Sequence, residues 1–139
     1  MIDVGGVYGP APEAEAVAIT TPMRNPEFIY KIATRDVAEA ARVSGTFTGM
    51  PIDVEDGYLH FSTAAQVGET LRLWFKGKTS LALLAVRSRD MGVALRWEPS
   101  RGGQLFPHVY GTFPMSAVVH EASVDVDGDG QCQLPEWVK

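Results

Sequence analysis

An α+β domain is the fold class that this sequence predicts, on three observations. Phe28–Ala33, apolar and partly β-branched, and Ser80–Val86, a continuous apolar run, both have the length of a strand. Two other segments, opening at Thr34 and at Thr63, carry helix-start signals followed by apolar residues at helical spacing. A chain of 139 residues, 45% of them hydrophobic, suffices for one core and leaves little for a second. The expected organisation is a leader over 1–25, one α+β domain over 26–124 and an acidic turn and tail over 125–139.

The leader holds Pro10, Pro12, Pro22 and an Ala/Glu alternation, which bury too little apolar area to offset the entropy of ordering, so a mobile arm is expected. Its Val4, Val7, Tyr8, Val17 and Ile19 offer the alternative of docking on a neighbour or a second subunit of a homo-oligomer. No basic stretch precedes a long apolar one, so it does not read as a signal peptide, and no apolar run reaches membrane-spanning length. With a single cysteine, Cys132, an intrachain disulfide and a thiolate-ligated cofactor are not expected, and a cytoplasmic setting is. The net charge of -5 argues against nucleic acid as a partner, because phosphate-backbone affinity comes from Lys and Arg.

After the first strand, Thr34 suits an N-cap whose hydroxyl accepts from a free amide, and Asp36 suits the positive end of the helix. Val37, Ala40 and Ala41 at helical spacing and a stop at Gly45 predict a helix over about Arg35–Ser44. A loop carrying Gly49 and Pro51 follows, then the turn signal Asp56-Gly57 and a strand over Tyr58–Phe61. Thr63 and Gln66 form a capping box, and Val67, Leu71, Trp74 and Phe75 continue a helix to about Lys76 with a stop at Gly77. The run Ser80–Val86 reads as a central strand covered on both faces. Ala94–Glu98 and Ala117–Glu121 read as further strands, and Ser100–Gly111 between them as a loop dense in glycine, aromatics and polar tips.

Three groups of residues carry candidate chemistry. His60, Ser62 and Thr63 lie where a strand meets a capped helix, whose free amides and dipole suit an anion; from this segment alone a structural hydrogen bond for His60 and capping by Ser62 or Thr63 is the favoured reading, since caps are common. Glu98, Arg101, His108 and Tyr110 place a carboxylate, a guanidinium, an imidazole and a phenol in one stretch, enough to clamp a phosphate and hold a hydroxyl, or else to form a salt bridge beside a packed tyrosine. Asp125, Asp127, Asp129, Gln131 and Glu136 satisfy a calcium-loop pattern, but the β-rich segment before them and the three residues after it favour an acidic turn over a metal site.

The strings Ile29-Tyr30-Lys31-Ile32-Ala33-Thr34, Asp56-Gly57-Tyr58-Leu59-His60-Phe61-Ser62-Thr63, Trp97-Glu98-x-Ser100-x-Gly102-Gly103 and Phe106-Pro107-His108-Val109-Tyr110-Gly111, in that order, resemble domain-of-unknown-function family 952. That resemblance implies an ADP-ribosyltransferase-like fold, with mixed or antiparallel sheets flanked by two short helices. The order of the first strand, the helix closed by Gly45 and Leu59-His60-Phe61-Ser62 is also similar to the NAD-binding half of RNA 2'-phosphotransferases. His60 and Ser62 match that family's second histidine and serine, while Lys31 stands where it has a ribose-contacting histidine. Lysine only donates and cannot take over the acceptor role of imidazole. In the alternative alignment, to the His-Gly-Ser motif of poly(ADP-ribose) polymerases, Phe61 replaces the glycine. The expectation is a small-molecule site lined by Tyr30, Lys31, His60, Ser62, Arg101, His108 and Tyr110, in which Lys31 and Arg101 balance the charge of NAD, a related nucleotide or another phosphate metabolite, with no reaction assigned. The rival expectation is a non-catalytic interaction module displaying the aromatic segment from Phe106 to Phe113.

Overall fold

The computed structural model describes residues 26–139; the leader and its expected mobility or docking lie outside the described residues. The chain runs through β1 (Phe28–Ala33), α1 (Arg35–Ser44), β2 (Thr46–Phe47), α2 (Pro51–Asp56), β3 (Leu59–His60), α3 (Ala64–Trp74), β4 (Leu81–Arg87), β5 (Leu95–Pro99), β6 (Leu105–Val109), β7 (Phe113–Pro114) and β8 (Val118–Val124). The strands form three antiparallel sheets, in the orders β1-β4-β8, β2-β7 and β3-β6-β5. The class is α+β with antiparallel sheets and short helices, and among the described residues no helix is long and apolar enough to cross a membrane.

The strand β4 is central, as its unbroken apolar run requires. Its side chains alternate between two cores. Ala82, Leu84 and Val86 join Ile29 and Ala33 of β1 in a cluster with α1, Phe47, Phe61, Val109 and Phe113. Leu81, Leu83 and Ala85 join Tyr30 and Ile32 in a second cluster with Val67 and Leu71 of α3. Full burial of such a side chain contributes roughly 1.5–3 kcal/mol, so covering both faces of β4 stabilises the sheet far more than one-sided packing would. Helix α1 ends at Gly45, whose φ of 87° is the left-handed conformation expected of a C-terminal stop.

Four expectations need correction. Thr34 occupies the N-cap of α1 by backbone conformation, but its hydroxyl caps no amide; its N–H and Oγ1 point at Met50 Sδ, 3.4 and 3.7 Å away. Helix α3 ends at Trp74, two residues earlier than expected, with Phe75 as its C-cap. The segment read as a loop after Gly49 contains α2, a helix too short to show a periodic pattern. It opens with Pro51 at the first position, Asp53 Oδ2 accepts from Met50 N–H at 2.7 Å, and Gly57 closes it.

The stretch Ser100–Gly111, also read as a loop, holds β6, the middle strand of its sheet. A proline is disfavoured in a central strand, and the register explains why Pro107 is tolerated in this one. It sits opposite Phe61, accepts the Phe61 N–H at 3.0 Å, and has no N–H to return the bond, so β3 ends at His60. The chain then leaves that sheet and pairs with the edge of β1, where Tyr30 and Ser62 exchange two backbone hydrogen bonds of 2.8 and 2.9 Å. This crossing sets the candidate site between the two sheets.

The C-terminal tail packs on the second core. Val126 is buried there, with Cys132, Leu134, Trp137 and Val138 against it, and the Trp137 ring stacks on both Tyr30 and His120.

Candidate functional site

Where β3 crosses to β1, a cavity of about 700 Å³ opens. Tyr30, Lys31, His60, Ser62, Arg101 and His108 all line it. The junction before α3 and the segment from Glu98 to Tyr110 therefore meet, because β3 and β6 pair with His60 directly opposite His108. Apolar lining comes from Met50, Ile52, Trp74, Phe75 and Phe106.

Beneath His60 lies Asp53, a residue the sequence reading did not single out. Its carboxylate accepts from Lys31 Nζ at 3.0 and 2.8 Å through its two oxygens, from the His60 backbone N–H at 3.0 Å and from Met50 N–H at 2.7 Å. His60 Nδ1 adds a contact of 2.7 Å to Oδ1, and His60 Nε2 lies 2.9 Å from Asp56 Oδ2. A doubly protonated ring donates to both carboxylates, whereas a neutral one serves only one of them. Burial alone would push the Asp53 carboxyl up, but the hydrogen bond from His60, then the charge and hydrogen bonding of Lys31, outweigh it and hold the group at about 2. Burial pushes the Lys31 ammonium down, against the pull of Asp53. Lys31 Nζ also donates to the His60 carbonyl at 2.9 Å, so its charge is spent inside the protein, against the expectation that it balances a ligand.

Across the strand pair, His108 is buried, with Nδ1 2.7 Å from Glu98 Oε1. Tyr110 donates to the same carboxylate at 2.9 and 3.1 Å. Burial raises the Glu98 carboxyl, and the bonds from His108 and Tyr110 more than reverse that, leaving it below the usual range. Burial lowers the His108 imidazole and Glu98 opposes it. The Tyr58 ring stacks on His108 with centroids 4.2 Å apart and also touches His60 and Tyr110, fixing the two imidazoles relative to each other. Glu98 and Tyr110 themselves stand behind His108 rather than in the cavity lining.

Arg101 reaches the cavity over the ring of Phe106, 4.8 Å from its centroid, and donates to Thr70 Oγ1 at 3.3 Å. Ser62 Oγ lies 3.2 Å from the same Thr70 hydroxyl. Thr63 stays at the start of α3, outside the lining, with its N–H bonded to Gln66 Oε1 at 3.1 Å; the Gln66 amide in turn ties α3 to the Leu105 carbonyl at 2.8 Å. The acidic tail folds as a turn in which Asp127 Oδ1 accepts from Asp129 and Gln131 N–H, and Asp125 Oδ1 accepts from Ser80 N–H. Among the described residues no group of three or more His, Cys, Asp or Glu side chains is arranged to hold a metal ion.

Asp53, Asp56, Tyr58 and Thr70 complete the site beyond the residues expected. A signal for Asp53 existed: a lysine inside the apolar run Phe28–Ala33 needs a buried carboxylate, and Pro51-x-Asp53 is a helix start that could supply it.

None of the curated proteins matches the chain. Among solved structures, the crystal structure of protein CC0527 from Caulobacter crescentus is similar, at 43% identity and a TM-score of 0.75, covering 80% of this chain and 97% of that one. The crystal structure of a double mutant of CC0527 aligns at 44% identity with the same TM-score of 0.75 and the same coverage, 80% and 97%. The solution NMR structure of CC0527 aligns at 44% identity and a TM-score of 0.67, over 76% of this chain and 90% of that one. The family described as protein of unknown function (DUF952) matches residues 32–121, a span that holds β3, β6, Asp53 and every candidate cavity contact except Tyr30 and Lys31. The chain belongs to that family.

Proposed function

We propose that the protein binds a nucleotide or another phosphate-bearing metabolite in the cavity between its sheets, as a small-ligand domain of ADP-ribosyltransferase-like descent. The observation that carries this reading is the convergence of His60, Ser62, Arg101 and His108 on one cavity of about 700 Å³ that also has an apolar lining. Small-molecule sites combine such a lining with a few placed polar groups, in volumes of roughly 300–1,000 Å³. The Arg101 fork suits phosphate oxygens, and Trp74 offers flat apolar surface to a base.

The likeness to the NAD-binding half of RNA 2'-phosphotransferases supports the nucleotide class. Two contacts move the ligand away from the nicotinamide end of NAD: Lys31 is held by Asp53, and the Phe61 N–H, at the position of a glycine in the polymerase motif, is bonded to Pro107. The rival reading of an aromatic interaction surface has less support, since Phe106 and Phe113 are buried.

Calorimetric titration of the parent protein with NAD, ADP-ribose and nucleoside monophosphates tests the proposal. At least one binds, and Arg101→Ala weakens that ligand by roughly 10-fold or more, the worth of a charge-assisted hydrogen bond. His60→Ala also weakens it. Absence of binding by the parent to all of them refutes the reading.

A further inference from the structure

We propose that His108 receives the sugar end of the ligand, so that the site recognises a sugar phosphate: Arg101 holds the phosphate, and the unprotonated Nε2 of His108 accepts a hydrogen bond from a sugar hydroxyl. This inference rests on the small-ligand reading above and narrows it to ligands that carry a phosphate and a free hydroxyl on one sugar.

The tautomer follows from the partners. Glu98 is an acceptor 2.7 Å from His108 Nδ1, so in the neutral ring the proton sits on Nδ1 and Nε2 is left as an acceptor. Tyr110 donates both its contacts to the same carboxylate and keeps it in place. The ring of His108 lines the cavity, and its Nε2 has no hydrogen-bond partner among the described residues while not being sealed from solvent. The other polar and titratable groups around the ring are Tyr58 stacked on it, His60 with its centroid 5.5 Å away, Arg96 opposite on β5, and Asp56 beyond His60.

The spacing selects the ligand class. Phe106 and His108 lie two apart on β6, so they share a face, about 7 Å apart along the strand. Arg101 sits on the Phe106 ring. A phosphate at Arg101 and a hydroxyl at His108 are thus separated by about one sugar ring.

The test compares adenosine 5'-monophosphate with 2',3'-dideoxyadenosine 5'-monophosphate, by calorimetry, on the parent, His108→Phe and Arg101→Ala. The parent binds the first more tightly by roughly 2- to 10-fold, the worth of one neutral hydrogen bond. His108→Phe keeps an aromatic ring against Tyr58, binds both nucleotides alike, and loses that preference. Arg101→Ala weakens both and keeps the preference. Nitrogen-15 NMR of the parent, which does not depend on any variant folding, shows an Nδ1-protonated His108 whose Nε2 resonance moves on adding adenosine 5'-monophosphate but not its dideoxy analogue. Equal binding of the two nucleotides by the parent, a preference retained in His108→Phe, or an Nε2-protonated His108 overturns this inference and leaves the small-ligand reading standing. No binding of either nucleotide overturns this inference, and the small-ligand reading falls only if the wider set of ligands also fails to bind.

Discussion

Replacing Asp53 by alanine tests the network under the site most directly, because it removes the acceptor on which four donors converge. Lys31 Nζ, the backbone N–H groups of Met50 and His60, and the His60 ring all bond that carboxylate, whose side chain is only 1% exposed, against 4% for Lys31. Removing one partner of a buried ion pair leaves an uncompensated charge and costs about 3–5 kcal/mol. Two backbone donors also lose their partner, which places Asp53→Ala at the upper end of that range.

The reverse change is milder. In Lys31→Met the carboxylate keeps His60 and both backbone donors, so the cost is about 1–3 kcal/mol. Against a total stability of roughly 5–15 kcal/mol, both are measurable as midpoint shifts in equilibrium urea unfolding. A Lys31→Met variant as damaging as Asp53→Ala would refute the reasoning, since it would mean that the ion pair alone, and not the carboxylate as a hub, holds the junction. The pH dependence follows from the same contacts. A carboxyl held at about 2 in the fold against an ordinary 3.8 contributes on the order of 2 kcal/mol at neutral pH, lost as the pH falls from near 4 through the folded value. Asp53→Ala removes that acid-side loss.

Two further outcomes are expected. Burial lowers the His108 imidazole in the fold, so it contributes stability above its ordinary 6.5 that is lost as the pH falls through the folded value; thermal melts decline from pH 7.5 to 5, and His108→Phe flattens the decline. Trp137→Ala removes a ring stacked between Tyr30 and His120 and lowers stability by about 2 kcal/mol in urea unfolding, whereas an unchanged midpoint would show that the tail contributes nothing to the second core.

The elements legible in the sequence are those whose signal is local. The helix Arg35–Ser44 follows from its apolar spacing and Gly45, and the central strand Leu81–Arg87 from an uninterrupted apolar run. The box formed by Thr63 and Gln66 places the start of α3, and the Gln66 half of it is present as a hydrogen bond. What local signal could not supply is α2, whose six residues offer no periodicity, and β6, where Pro107 reads as a breaker until its partner strand is known.

The candidate site divides along the same line. Residue chemistry singled out His60, Ser62, Arg101 and His108, because histidine and arginine beside apolar strands demand either partners or a ligand, whereas Tyr30 and Lys31 entered through the family resemblance. Their roles depended on pairings made across the fold. Asp53 reaches Lys31 over a separation of 22 residues and makes it an internal counter-ion, and Glu98 orients His108 across two antiparallel strands. The sequence by itself determined which side chains are chemically unusual for their surroundings and which segments are helix or central strand, since both follow from residue type and near-neighbour spacing. Only the tertiary structure decided that His60 stands opposite His108 and that Arg101 joins them, because strand register and the crossing from β3 to β1 arise from long-range pairing that no local pattern encodes.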